Sequence, residues 1–201
     1  MNDKPSLPMY GTIVLIGPIS AGKSTVAQAL AEKLGIPRYS MDDLRWAYYN
    51  EIGYDEAEVS RIAHSENGIA DVLHYWKPFE AHAVERVLAD HQDCIIDFGA
   101  GHSVYEDEAL FARVQNALAP YLNVILLLPS PDPDESIPIL NARFTELLQR
   151  ETGTVDPELL KFNAYLTRHP SNQRLAKRVV YTKDRTPEET CAEIIERLIR
   201  I

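Results

Sequence analysis

The sequence predicts an α/β fold: a five-stranded parallel sheet with helices on both faces. Three observations carry that reading. Five short runs of apolar and β-branched residues recur along the 201-residue chain, at 11–16, 37–41, 93–98, 123–128 and 178–182. The runs are continuous rather than alternating, as in Ile95-Ile96, Val124-Ile125-Leu126-Leu127-Leu128 and Val179-Val180, and strands covered on both faces read that way. Stretches of helical periodicity lie between them, and strands that alternate with helices favour parallel pairing.

The run at 11–16 leads through a glycine-rich loop into a helix over Lys23–Leu34, whose Val26, Leu30 and Leu34 share one stripe. Gly35 follows where a helix ends left-handed, and Pro37 closes the turn into the second strand. A short helix is expected at 44–50, with Asp42 or Asp43 suited to cap it. Further helices are expected at 80–90, 106–118 and 135–149. Pro129-Ser130-Pro131-Asp132-Pro133 reads as a stiff acidic turn. The last helix, 187–199, opens with Thr186-Pro187-Glu188-Glu189: a cap, a proline at the first helical position, and acids in the first turn. The intervals after the second and fourth strands exceed what a crossover needs. They predict a flap over about 42–92 and a lid over about 141–170, within one domain spanning 1–201.

Acids outnumber bases 30 to 20, for a net charge of −10. That disfavours a chain that grips nucleic acid over its whole surface. Cys94 and Cys191 stand far apart among apolar neighbours, as buried structural thiols do. Only 1–8 looks disordered. No run approaches the roughly 20 apolar residues of a membrane span, and no secretory signal pattern opens the chain, so a cytoplasmic location without a membrane partner is expected.

Residues 17–25 read Gly17-Pro18-Ile19-Ser20-Ala21-Gly22-Lys23-Ser24-Thr25, which is G-x-x-x-x-G-K-[ST] without deviation. Gly17 and Gly22 let the backbone turn tightly, so that N–H groups point at phosphate oxygens. The positive end of the following helix adds to that attraction. Lys23 reaches the β- and γ-phosphates and the Ser24 hydroxyl ligates Mg²⁺. A strand before the motif and a helix after it complete the context, and the fold becomes a P-loop NTPase three-layer sandwich.

Mg²⁺ and the attacking group need carboxylates. Asp97 ends the run Cys94-Ile95-Ile96 at a Walker-B-like position near the metal. Asp42 and Asp43 follow the second strand at the same edge, where ligands meet open α/β sheets; either suits an acceptor hydroxyl, and either suits a helix start. The glycines of Gly99-Ala100-Gly101 suit a close approach of backbone to ligand, or a tight turn. His102 reads as a polar loop histidine, with a substrate contact open to it. Arg143, Arg150, Arg168, Arg174, Lys177 and Arg178 supply cations around the lid, and spacing does not choose among them.

The assembled pattern resembles the shikimate kinase family, within the wider nucleoside-monophosphate-kinase group. Tyr39-Ser40-Met41-Asp42 is similar to the family's segment after strand two, which puts Asp42 on the aspartate that meets substrate and magnesium. Gly99-Ala100-Gly101 sits where the family has three pocket-lining glycines. Arg143 and Arg150 keep the spacing of two family arginines, one stacking on adenine and one in the lid. Leu166-Thr167-Arg168-His169-Pro170 resembles the family's Arg-x-Pro segment, whose arginine binds the acceptor's carboxylate. Two departures stand out. Trp76-Lys77-Pro78-Phe79-Glu80 puts Glu80 where the family has a substrate-binding arginine, and Arg150-Glu151-Thr152-Gly153 replaces the family's lid sequence. The flap is also rich in aromatics, with Trp46, Tyr48, Tyr49, Tyr54, Tyr75 and Trp76, suited to core packing or to a ring-binding pocket.

The resemblance implies phosphoryl transfer from ATP with Mg²⁺ to a hydroxyl of a small acceptor. Nucleotide would meet Gly17, Ser20, Ala21, Gly22, Lys23, Ser24, Thr25 and Arg143; metal would meet Ser24, Asp42 and Asp97. The acceptor would meet Asp42, Gly99, Ala100, Gly101 and Arg168, with Lys23, Asp42, Asp97 and Arg150 carrying catalysis. A kinase for a nucleotide, a nucleic-acid end or an antibiotic, and a nucleotide-gated regulatory module, are the alternatives.

Overall fold

Burial orders the sheet. Every residue of β1 (Ile13–Ile16) and β4 (Asn123–Leu128) is buried, so both must lie in the middle. The computed structural model, which describes residues 10–65 and 68–198, puts them there. The sheet order is β2-β3-β1-β4-β5, where β2 is Arg38–Ser40, β3 is Ile95–Asp97 and β5 is Arg178–Tyr181. All four pairings are parallel.

Alternate residues of the central strands feed two cores. Val14, Ile16, Ile96, Val124 and Leu126 pack on one face beneath α2 (Met41–Glu51), α4 (Ile69–Asp90) and α5 (Glu108–Leu118). Ile13, Leu15, Ile95, Ile125 and Leu127 pack on the other against α1 (Lys23–Leu34) and α9 (Pro187–Arg197). Chain order reverses at β1, which has β3 on one side and β4 on the other. The crevice past its carboxyl end is therefore where a ligand is expected.

The five strands and α1 fall where the sequence puts them, within a residue or two at the ends. Other bounds differ for physical reasons. Strand β2 runs straight into α2, whose N-cap is Ser40. Asp42 and Asp43 are thus first-turn residues rather than caps, favoured there by the helix dipole. Helix α4 begins eleven residues before 80 and runs through Pro78, because its buried face holds it against α2 and α5. Asp107 caps α5 by accepting from Ala109 and Leu110 N–H groups. Asp132 caps α6 (Pro133–Thr152) with Pro133 in its first turn, so the acidic turn at 129–133 is a helix start. Three helices were not foreseen: α3 (Glu56–Ala63), α7 (Pro157–Arg168) and α8 (Pro170–Leu175). The expected disorder at 1–8 and the end of the last helix at 199 lie outside the described residues. Both cysteines are buried and unbridged, and burial pushes the Cys94 thiol up to about 11. Among the described residues no helix is long and apolar enough to cross a membrane.

Candidate active site

The glycine-rich loop fills the turn between β1 and α1. Gly17 sits at φ +141, and a side chain there would begin 2.6 Å from the Leu127 carbonyl oxygen, so the position admits only glycine. Lys23 is buried, and its Nζ donates to the Gly17 and Pro18 carbonyls at 2.9 and 2.8 Å. The cation is folded onto its own loop, where phosphate oxygens are better partners than carbonyls. Burial pulls its pKa down to about 8, against the upward pull of Asp42 and Asp97.

Asp97 is held from two sides. The Ser24 hydroxyl donates to its Oδ2 at 2.9 Å, which puts two oxygen donors of the proposed metal set side by side. Arg38 forks onto both oxygens, Nε to Oδ1 at 2.8 Å and an Nη to Oδ2 at 3.0 Å. Sequence reasoning missed Arg38. In the register of β2 against β3, Ser40 pairs with Asp97, so Arg38 shares a face with Ser40 two residues back and reaches Asp97 diagonally. A charged residue in a strand otherwise read as buried was the available signal. Among the described residues no three His, Cys, Asp or Glu side chains assemble to hold an ion by themselves.

Beside the loop, a cavity of about 350 Å³ is lined by Ser20, Gly22, Thr25, Arg143, Thr182 and Arg185. It joins the phosphate loop to the start of α9 and has room for part of a nucleotide beyond the phosphates. Asn163 of α7 locks the lid helices to the loop: its Oδ1 accepts from Ile19 N–H at 2.9 Å, and its Nδ2 donates to Asn141 of α6 at 3.2 Å. Nothing in the local sequence marked Asn163, which lies 144 residues from Ile19. The outer arginines stand apart. Arg150 is exposed and lies 3.9 Å from Glu151. Arg168 ends α7 and pairs with Asp134 at the start of α6.

The third wall is the turn after β3. A side chain on Gly99 would begin 2.6 Å from Asp42 Oδ1 and 2.7 Å from His102 Nδ1. One on Gly101 would begin 2.1 Å from Glu80 Oε1. The glycines thus let α2 and α4 bring carboxylates against the backbone. Lys77, one turn before Glu80 on α4, donates to Glu80 Oε2 at 2.6 Å and to the Gly101 carbonyl at 3.1 Å. The flap aromatics pack on one another: Tyr49, Tyr54, Tyr75 and Phe79 form one cluster, with Trp46 at its exposed edge.

Comparison with known proteins settles the grouping of these parts. The family described as Shikimate kinase matches residues 19–199. The chain belongs to the shikimate kinase family. A shikimate kinase of Chlamydia pneumoniae is 29% identical over 57% of this chain and 60% of that protein. An adenylate kinase of Mycolicibacterium vanbaalenii is 69% identical over 32 residues, 16% of this chain and 18% of that protein. The chain thus spans less than two thirds of the curated relatives it matches. A shikimate kinase structure from Acinetobacter baumannii, in complex with shikimate, superposes with a TM-score of 0.63 at 18% identity, covering 94% of this chain and 93% of that one. The doubly wound P-loop fold with a five-stranded parallel sheet follows from this match and the strand order together.

As a member of the shikimate kinase family, the chain brings Lys23, Ser24, Asp97, Asp42 and Gly99 to one edge of its sheet. Arg143 lines the cavity beside the phosphate loop; Arg150 and Arg168 pair instead with Glu151 and Asp134. Glu80 stands where the resemblance puts an arginine, and it is buried with a cation of its own. His102 is the largest surprise: the residue read as a loop histidine is 1% exposed.

Proposed function

We propose that this chain transfers the γ-phosphoryl group of MgATP to a hydroxyl of a small acceptor that carries no carboxylate. A P-loop kinase of the shikimate kinase family is the frame. The observation that carries the reading is Lys23, buried and folded on its loop, with the next residue, Ser24, hydrogen-bonded to Asp97. Phosphoryl transfer needs little covalent help from protein; it needs positioning and charge. The β- and γ-phosphates would take Lys23 from the Gly17 and Pro18 carbonyls and accept from the N–H groups of Gly22 to Thr25 at the start of α1. Ser24 and Asp97, with Asp42, would hold Mg²⁺, which when bound neutralises charge on the phosphates. The donor set fits an ion that keeps several waters and shares its binding with nucleotide phosphates. Asp42 would orient the acceptor hydroxyl and take its proton as the new O–P bond forms and the bond to ADP breaks. Arg143 would border the base, and Arg150 and Arg168 would reach the site only if the lid helices turned inward.

The carboxyl-free acceptor follows from the charges. Glu80 lies against Gly101 and its cation Lys77 is already engaged. Arg45 is shared between Asp42 at 3.6 Å and the Trp46 ring. A carboxylate placed there would meet two acids, Asp42 and Glu80, each already drawing on a cation, and a mismatched buried charge is costly. As an ATP-consuming enzyme, the protein would work in the cytoplasm, and nucleic acid is not the expected partner.

The test is ADP release with Mg²⁺ across hydroxylated metabolites, nucleosides and antibiotics, with shikimate included and Lys23→Met as control. Acceptor-stimulated turnover that falls by on the order of 10²-fold or more in the variant supports the proposal. Near-normal turnover in a folded Lys23→Met protein would sink it. Tight ATP binding with no stimulation by any acceptor would move the reading to a nucleotide-gated regulatory module.

A further inference from the structure

We propose that the non-reacting body of the acceptor is an uncharged, apolar ring, held in a second cavity between α4, α7 and the start of α5. The inference rests on the kinase reading above and deepens it.

This cavity measures about 350 Å³, and its lining has no residue in common with that of the cavity beside the phosphate loop. Leu73 and Pro78 of α4, Tyr105 and Leu110 around the start of α5, and Phe162 and Tyr165 of α7 supply its apolar surface. Tyr105 is the buried floor, and Tyr165 is exposed, so the hollow opens to solvent. Among the described residues, Leu73 and Phe162 join neither core. Folded interiors leave few voids larger than a water molecule. Concave apolar surface of this kind marks small-molecule sites, which run from about 300 to 1,000 Å³ and here would take about one or two rings.

Two contacts tie the cavity to the reacting end. Lys77 lines it and donates to Glu80 and to the Gly101 carbonyl. Phe162 precedes Asn163, whose amide oxygen accepts from Ile19 N–H in the phosphate loop. Gly101 stands two residues after Gly99, which lies against Asp42, and two residues span at most about 7 Å. A ring lodged in the cavity therefore brings a hydroxyl on a short arm to Asp42 along the glycine turn.

The lining sets the chemistry of the body. Phe162 and Tyr165 stack with centres 6.1 Å apart and planes 20° apart, and aromatic walls favour a flat ring. The charges at the edge are already committed. Lys77 is paired with Glu80 and lies over the Tyr105 ring, 5.4 Å from its centre. Glu106 accepts from the Tyr165 hydroxyl at 2.8 Å, and Asp107 caps α5. An anion would meet these two acids, and any charge set against the apolar walls lacks a partner there.

The experiment labels the leucine methyls with ¹³C and adds 2-phenylethanol, 4-phenylbutanol or 2-naphthaleneethanol under MgADP, with glycerol and ribitol as open-chain controls. The Leu73 and Leu110 methyl resonances should move with the ring compounds and not with the controls. Ala70 also lines the cavity, and Ala70→Trp, which fills it, should abolish the movement. Turnover is measured under MgATP. For a ring compound that turns over, Ala70→Trp should raise its KM by about tenfold or more while the KM for ATP stays within about twofold. Leu73→Ser, which removes apolar contact without filling the space, should raise it by about fivefold. Methyls unmoved by every ring compound overturn the inference. So does a ring acceptor whose KM is unchanged in the folded variants, or turnover confined to acceptors without a ring. Methyls that move with no turnover, in this panel or the previous one, count against the kinase reading instead, so the two failures are distinguishable.

Discussion

Replacing Arg38 with methionine tests the centre of the site. Asp97 is 2% exposed and Arg38 25% exposed, and the guanidinium forks onto both carboxylate oxygens. Removing one partner of a fully buried pair costs about 3–5 kcal/mol, because the other charge is left stranded. Two features lower that figure here: Arg38 touches solvent, and the Ser24 hydroxyl still donates to Asp97. A loss of about 2–3 kcal/mol is expected for Arg38→Met, which for a chain of this length lowers Tm by about 4–12 °C. Arg38→Lys should fall between, since lysine keeps the charge but not the fork. Urea unfolding of Arg38→Met, Asp97→Asn and the double variant closes the cycle. The double should be less destabilised than the sum of the singles by about 1 kcal/mol or more, because the stranded carboxylate is gone. A single variant within about 0.5 kcal/mol of wild type, or no coupling in the cycle, refutes the argument that this pair is buried and mutually dependent.

Two further outcomes follow from the same geometry. Lys23, lowered to about 8 chiefly by burial, loses its charge in the nucleotide-free protein as pH rises through that value, whereas phosphate binding needs and restores the charge. ATP affinity should hold up to about pH 8, then fall towards tenfold per pH unit with proton uptake on binding; calorimetric titration that stays flat to about pH 9.5 contradicts this. Gly101→Ala must drive Glu80 Oε1 away from a contact of 2.1 Å and disturb its pair with Lys77. Urea unfolding should record a loss of about 1–3 kcal/mol, typical of overpacking, and no loss would mean that Glu80 does not lie against this turn.

Sequence alone reached what is local. The strands showed as continuous apolar runs, and the phosphate loop as fixed spacings within nine residues. Lys23, Ser24 and Asp97 were legible because each stands at a strand end or helix start whose place the pattern already set. Arg38, Asn163 and His102 were not, and the reason is common to them. Arg38 meets Asp97 across 59 residues, Asn163 meets Ile19 across 144, and His102 meets Tyr49 across 53. No propensity or period encodes such contacts, and each residue type is ordinary on a surface. Helix starts failed differently: the interval at 129–133 contains three prolines, which read as a turn, yet proline is also a favoured first helical residue, and Asp132 before Pro133 settled the choice for the helix.

The phosphate end is made largely of backbone N–H groups and a helix terminus, so its chemistry travels with a motif. The proposed acceptor end would draw on side chains from α2, α4 and the turn after β3, where one substitution changes what such a site accepts. Glu80 illustrates the constraint. A carboxylate set in this position without a counter-charge would be buried and unpaired, at a cost the fold could not carry lightly. Lys77 stands one helical turn away, on the same face, and bonds both Glu80 and the Gly101 carbonyl. The pair also commits two of the three Lys77 donors, and its charge, to groups of the protein itself. On the proposed reading, the wall where the resemblance puts an arginine carries instead an acid paired with Lys77, and a site so arranged no longer attracts an anion. Family membership supplies the frame for the proposed phosphoryl transfer; the Lys77–Glu80 pair argues that the acceptor differs.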